Sequence, residues 1–240
     1  MNKLFGLIHF ILYGAYVRVF VIPKVNRLDR LGKLQEKRKY VNQISKNLCR
    51  ILINTSKSTV EVRGVENVPE DTAVLFICNH QGYFDIPILL YHLPKTLGFL
   101  AKIEIKKWPL IGKWLTCLEG VFIDRSDIRQ SLTAIKETSE VLKSGQSMII
   151  FPEGTRSKGK QLNEFKPGSL RAALRAKVPI VPVTIENTYQ ILEANNYKNI
   201  KAANITITIA PAIETAQLDR KSSNQLSDVI FEIIKNNISH

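Results

Sequence analysis

The chain has 240 residues, 45% hydrophobic and 23% charged, a balance that excludes disorder and allows one full domain with a buried core plus a small appendage. Its net charge of +13 is unevenly placed: residues 1–50 hold eleven Lys and Arg against Asp29 and Glu36, and the rest of the chain is close to balance. A nucleic-acid binder more often carries such charge on its folded domain beside stacking aromatics; here it flanks the most apolar stretch, which points to anionic lipid and not to nucleic acid.

That stretch, residues 4–22, is interrupted only by His9 and Arg18. It is nearly long enough to span a bilayer, which takes about 20 apolar residues, and Arg18 near its end could snorkel to the headgroups. No clear small-residue cleavage site lies before Pro23, so a cleaved signal peptide is not expected. Beyond Pro23, Leu31, Leu34, Val41, Ile44, Leu48, Ile51 and Leu52 recur mostly at spacings of three, four and seven, with Lys33, Lys37, Arg38, Lys46 and Arg50 largely between them. Such a basic amphipathic helix lies in the headgroup layer or packs its apolar face on the rest of the folded chain. Membrane contact is the expectation: residues 1–57 form a membrane-associating helical pair, monotopic or shallowly inserted at the cytoplasmic face, and residues 58–240 form the main folded domain. Cys49, Cys78 and Cys117 are odd in number and lack metal-ligand spacing, which fits reduced, buried thiols.

From Thr59 onward short β-branched runs alternate with helical stretches. Strands are predicted at 59–62, 73–78, 97–101, 120–123, 148–151, 180–185 and 205–209, and helices around 86–91, 127–142, 169–176 and 225–238. Ile128, Leu132, Ile135 and Leu142 share one face of the second of these helices, which stops at Gly145. The alternation predicts an α/β fold with a mixed, largely parallel sheet flanked by helices. Pro182 inside the 180–185 run predicts an edge position or a local distortion there.

In such sheets ligands gather at the carboxyl ends of strands. The 73–78 run leads directly into Asn79, His80, Gln81, Gly82, Tyr83, Phe84 and Asp85. On a regular helix His80 and Asp85 would stand about 140° apart, so they meet only if the chain turns between them, which Gly82 permits. Asp85 would then begin the helix that Pro87 helps to start. If they meet, the carboxylate fixes the imidazole tautomer and leaves the other nitrogen to take a proton from an alcohol. No Gly-x-Ser-x-Gly elbow occurs and no cysteine is placed for a thioester relay, which suggests direct attack by a substrate hydroxyl.

Three further strand ends carry cations. The 148–151 run enters Pro152, Glu153, Gly154, Thr155, Arg156 and Ser157, where backbone N–H groups, a hydroxyl and a forked guanidinium can meet an oxyanion. Asp124 and Arg125 close the 120–123 run just before the 127–142 helix, whose start adds anion attraction. Lys102 follows the 97–101 run. Each has a plainer reading: Arg125 could pair with Asp124 or Asp127, and Lys102 could be solvated. Together, beside a base at the preceding strand end, they favour a phosphate site.

Four ordered blocks carry a resemblance: Asn79-His80 through Asp85, Gly120 to Arg125, Phe151 to Ser157, and Val178 to Val183. They are similar to those of the glycerolipid acyltransferases, specifically the 1-acylglycerol-3-phosphate acyltransferases. The resemblance covers the whole catalytic domain and implies the glycerol-3-phosphate acyltransferase-like fold. It implies that His80 is the general base and Asp85 its partner, and that Arg125, Glu153, Gly154 and Arg156 shape the phosphate site with Lys102 near it. Thr155 joins that set as the hydroxyl of the turn. The expected reaction transfers an acyl group from acyl-CoA or an acyl carrier protein to the hydroxyl of lysophosphatidic acid at a phospholipid surface, with no metal or bound cofactor. A backbone N–H near Gly82 or Gly154 is the candidate oxyanion donor. Alternatives are another lysophospholipid or glycerol 3-phosphate as acceptor, transfer between phospholipids, or a non-catalytic membrane-binding protein.

Overall fold

Apolar residues at successive positions suit strands that are covered on both faces, and the runs 75–78, 147–150 and 180–186 are used in that way, whereas 59–63 and 204–209 alternate in exposure. The computed structural model describes residues 14–166 and 168–238. Its strands are β1 (Thr59–Arg63), β2 (Leu75–Cys78), β3 (Leu97–Lys102), β4 (Val121–Ile123), β5 (Ser147–Ile150), β6 (Ile180–Glu186) and β7 (Asn204–Ile209). They form one seven-stranded sheet in the order β1-β7-β6-β2-β5-β3-β4. Strands β2 to β6 are mutually parallel; β7 runs antiparallel to β6, and β1 follows β7. Every predicted strand is present, with ends displaced by two residues at most.

The helices are α1 (Ile22–Arg30), α2 (Leu34–Ser56), α3 (Asp85–His92), α4 (Ile111–Cys117), α5 (Ile128–Lys143), α6 (Arg171–Ala176) and α7 (Arg220–Asn236). A π-helical turn, Val17–Val21, leads into α1. Helix α4 was not anticipated because seven residues are too few to display a helical period. Alternation along β2 divides its side chains between two cores. Phe76 and Cys78 face the layer of α1, α2 and α3, where they join Val25, Val41, Cys49 and Ile88. Leu75 and Ile77 face α5, α6 and α7, with Leu142, Ala173 and Ile230. Each large apolar side chain so buried contributes about 1.5–3 kcal/mol, which makes the two layers the main source of stability.

Helix α2 corrects the picture of a face wholly given to headgroups. Its buried side presents Val41, Ser45, Cys49 and Ile53 to the sheet layer, whereas Ile51 and Leu52 are exposed and Leu31 lies in the turn before it. Lys37 and Arg38, expected among the lipid-facing cations, are buried. The Arg38 guanidinium forks onto Glu119 at 2.9 and 2.7 Å and also donates to the carbonyl and hydroxyl of Ser144. Lys37 reaches Asp29 at 2.7 Å. Part of the N-terminal positive charge is therefore internal pairing that fastens α2 to the sheet. The Lys24 ammonium lies 4.0 Å over the Tyr40 ring and joins α1 to α2. Among the described residues no helix is long and apolar enough to cross a membrane; most of the 4–22 run lies outside them.

Pro182 sits in an interior strand, between β2 and β7. Its carbonyl accepts from Ala210, so the side lacking an N–H faces β7. There the register slips by one residue between the Ile180↔Ile213 bridge and the Val183↔Ile209 pair. The bulge accommodates a residue that cannot complete a regular ladder, so distortion and not an edge position resolves the proline. All three cysteines are free and buried, and burial pushes the Cys49 thiol up to about 12.

Candidate active site

The connection leaving β2 passes through α3 on one face of the sheet to β3, whereas the one leaving β5 passes through α6 on the other face to β6. Because β2 and β5 are neighbours, their carboxyl ends flank a topological switch point, where two loops diverge and leave a crevice. The residues after β2 and after β5 therefore come together although about seventy positions separate them in the chain. Ser157 donates its N–H to the His80 carbonyl at 2.7 Å and Lys158 donates to Gln81 at 3.1 Å, so the two loops are zipped directly.

The turn after β2 brings His80 to Asp85, with Nδ1 2.6 Å from Oδ2. The same oxygen accepts the backbone N–H groups of Gln81 and Gly82 at 2.7 and 2.9 Å. Asp85 is wholly buried and is the first residue of α3, not its cap; its carboxylate points back into the preceding turn. Gly82 is needed for space and not for a left-handed backbone: a Cβ there would lie 2.6 Å from a Glu193 carboxylate oxygen. The imidazole stacks on Phe151 at the end of β5, with centroids 4.0 Å apart and planes at 19°. With a carboxylate as acceptor, Nδ1 is the nitrogen that donates; among the described residues Nε2 makes no hydrogen bond. Burial, reinforced by Asp85 and Glu153, holds the adjacent Cys78 thiol well above its ordinary range, so no thiolate stands beside the imidazole.

The turn after β5 is organised by a carboxylate. Glu153 is 1% exposed, and its oxygens accept the backbone N–H of His80 at 2.6 Å and of Asn163 at 2.8 Å. Its carboxyl is raised above the usual range by burial, partly offset by those amides. Glu153 thus holds the loop and the backbone of His80; both oxygens are occupied by protein donors. Gly154 has φ +74°, and a Cβ there would meet the Arg125 guanidinium at 2.8 Å. Arg125 crosses from the end of β4 and donates to the Gly154 carbonyl. It pairs with neither Asp124, whose carboxylate accepts from Ser126, nor Asp127, which caps α5 through the N–H groups of Arg129 and Gln130. Arg156 stacks its guanidinium 3.6 Å over the Tyr83 ring and keeps a side-chain exposure of 22%.

Two predicted members stand farther out. Lys102 is 57% exposed and pairs with Glu104 at 2.7 Å. Thr155 is exposed, and its hydroxyl bonds no protein group among the described residues. Among the described residues no group of three His, Cys, Asp or Glu side chains is assembled to hold a metal ion.

Three supporting residues had escaped the sequence reading. Asn79 pairs its amide with both the N–H and C=O of Ile185 at 2.8 and 2.9 Å, extending the β2–β6 ladder by one side chain. Thr188, in the 3₁₀ turn Thr188–Gln190 after β6, donates to Asp85 Oδ1. Glu193, in the turn Glu193–Asn195, accepts from Tyr83 N–H at 2.8 Å and Arg156 at 3.1 Å. Asn79 lay within a recognised block but had no chemistry of its own; the other two sit in a polar connection without a motif.

The family model described as Acyltransferase matches residues 59–186, more than half of the chain. The chain belongs to the acyltransferase family. Among curated relatives, a chloroplastic 1-acyl-sn-glycerol-3-phosphate acyltransferase of Arabidopsis thaliana is 35% identical over 162 residues, covering 67% of this chain and 45% of that protein. A 1-acyl-sn-glycerol-3-phosphate acyltransferase of Borreliella burgdorferi is 31% identical over 173 residues, covering 72% and 69%. The chain spans about half the length of the plant relatives it matches. The crystal structure of the 1-acyl-sn-glycerophosphate acyltransferase PlsC from Thermotoga maritima superimposes with a TM-score of 0.78 at 29% identity, over 99% of this chain and 96% of that one. His80, Asp85, Arg125, Glu153 and Arg156 all fall within the acyltransferase match, whereas Thr188 and Glu193 lie just beyond it.

Proposed function

We propose that the protein transfers a fatty acyl group from an acyl thioester, acyl-CoA or an acylated carrier protein, to the sn-2 hydroxyl of 1-acylglycerol 3-phosphate, giving phosphatidic acid. The observation that carries this reading is the His80–Asp85 contact of 2.6 Å in a crevice zipped to the loop that bears Arg156. The names of the relatives point to the same acceptor.

In this mechanism the acceptor's phosphate docks against Arg156 and Arg125, with Lys102 at the rim, and its free hydroxyl is directed to His80 Nε2. His80 takes the hydroxyl proton as the oxygen attacks the thioester carbonyl. Asp85 steadies the imidazolium that forms; general-base action of this kind is worth about 10²–10⁴ in rate. The C–S bond then breaks, the thiolate takes the proton from His80, and ester and free thiol leave. A backbone N–H of the two glycine-bearing loops is the natural oxyanion donor, a contribution of about 2.7–4 kcal/mol.

Residues 58–240 carry the chemistry in this reading, and residues 1–57 bring it to the cytoplasmic face of a phospholipid surface. Tyr16, Val19 and Phe20 are exposed beside α1, and a Cβ at Gly14 would come within 2.6 Å of Leu110, whose neighbours Trp108 and Ile111 are also exposed. Aromatic and aliphatic groups so placed, among lysines, suit the headgroup boundary. The decisive experiment follows free thiol with purified protein and mixed vesicles: release that requires both acyl thioester and lysophosphatidic acid supports the reading, and release without acceptor, or none with any donor, overturns it.

A further inference from the structure

A buried carboxylate joins the loop of the proposed base to the proposed phosphate ligand, and none of the recognised blocks includes it. The Glu193 side chain is 1% exposed. Its Oε1 accepts from Tyr83 N–H and from Arg156 Nη1, while Oε2 is buried with no hydrogen-bond partner among the described residues and sits against Gly82. Leaving a buried carboxylate oxygen unpaired is costly, so the site keeps this group for what Oε1 does. That single oxygen spans two loops: Tyr83 lies three residues after His80, and Arg156 sits on the strand-end turn that donates to the His80 carbonyl.

The rest of the surroundings supports the same role. Gly82 lacks the Cβ that would displace the carboxylate, and the Tyr83 ring forms the flat surface on which the guanidinium rests. Tyr197, four residues after Glu193, packs edge-on against Tyr83 with centroids 6.2 Å apart. With Nη1 committed to Glu193 and one face to Tyr83, the guanidinium is held in a single orientation, its remaining N–H groups available to an anion. Arg156 in free solution has many rotamers, and fixing it in advance removes that entropy from the binding step.

We infer that Glu193 is a positioning residue that sets the placement of Arg156 relative to His80, and with it how the acceptor's hydroxyl is presented to the base. The inference rests on the acyltransferase reading above, and the experiment separates the two. Kinetics are measured for the wild type and for E193A, E193Q and E193D with acceptor and donor varied independently, and thermal unfolding is followed for each. Displacing a binding group by about an ångström costs up to roughly 10²-fold, so E193A loses about 10- to 100-fold in acceptor kcat/KM with the donor KM unchanged. E193Q keeps an oxygen in place and retains activity to within about tenfold. E193D keeps the charge but withdraws it by one methylene, and falls with the alanine variant; should E193A not fold, the Gln and Asp variants decide. In a double-mutant cycle E193A adds little to the loss already caused by Arg156→Ala. A loss on the donor KM, an active Asp beside an inactive Gln, or full additivity with R156A overturns the inference. Absence of acceptor-dependent transfer by the wild type itself overturns the functional reading instead.

Discussion

The Thr188 hydroxyl donates to the Asp85 carboxylate oxygen that His80 leaves free. One oxygen of the carboxylate thus serves the imidazole and two backbone amides, and the other is closed by a side chain 103 positions away in sequence. Asp85 cannot rotate without breaking one of these bonds. Thr188→Val keeps the shape and removes the donor, leaving a buried acceptor unpaired at a cost of about 1–3 kcal/mol. We expect a matching loss in denaturant-derived stability, a lower kcat with little change in acceptor KM, and recovery of both in Thr188→Ser. Unchanged kcat in the valine variant would show that Asp85 needs no such closure.

His80→Ala removes the proposed base and is expected to reduce kcat by about 10²–10⁴ while leaving the circular dichroism spectrum intact. Asp85→Asn is expected to lose activity on a similar scale and, in addition, to weaken the fold, because Oδ2 also holds the turn through the Gln81 and Gly82 amides. A fully active Asp85→Asn protein would sink the proposed tautomer control.

The Arg38–Glu119 fork is a structural counterpart far from the chemistry. The Arg38 side chain is 2% exposed, and its bonds tie α2 to the turn before β4 and to the end of α5. Arg38→Leu leaves the partly buried Glu119 with only the longer Lys37 contact of 3.7 Å, and removing the main partner of such a pair costs about 3–5 kcal/mol. For a chain of this size the unfolding midpoint falls by on the order of 10 °C, while kcat measured well below it stays near the wild-type value. A shift of a degree or two would mean that Lys37 and solvent compensate.

Val19 and Phe20 are 58% and 63% exposed, and the Phe20 ring lies beside Tyr16, itself exposed. Replacing both with Asp is expected to weaken association with anionic vesicles by about tenfold or more, since each apolar side chain buried in lipid contributes about 1.5–3 kcal/mol. Flotation measures the binding, and an unchanged unfolding midpoint excludes a folding defect. Undiminished flotation would move the lipid contact elsewhere on the surface.

Much of the site was legible because its parts are local. The run from β2 into His80 and Asp85 needs only a turn of four residues, and the β5 turn announces itself by Gly154 and Arg156 within a few positions. What the charge pattern misread was α2: Lys37 and Arg38 resemble surface cations, yet Lys37 is paired by Asp29 from the preceding helix, and Arg38 becomes a buried partner through Glu119 and Ser144, more than eighty residues later. Likewise Arg125 had two acidic neighbours in sequence, yet it donates to Gly154 across the crevice because β4 and β5 end at the same edge of the sheet.

Residue pattern alone therefore determined the strands and the strand ends that bear His80 and the cations, since these follow from hydrophobic period and short-range turn chemistry. Tertiary structure alone decided which polar groups satisfy one another. Thr188 behind Asp85 and Glu193 behind Arg156 are contacts made by the connection after β6 folding back over the crevice. A hydrogen bond is specified by position and angle in space, and no periodicity records that; buried polar atoms take whichever partner the packed chain brings within reach.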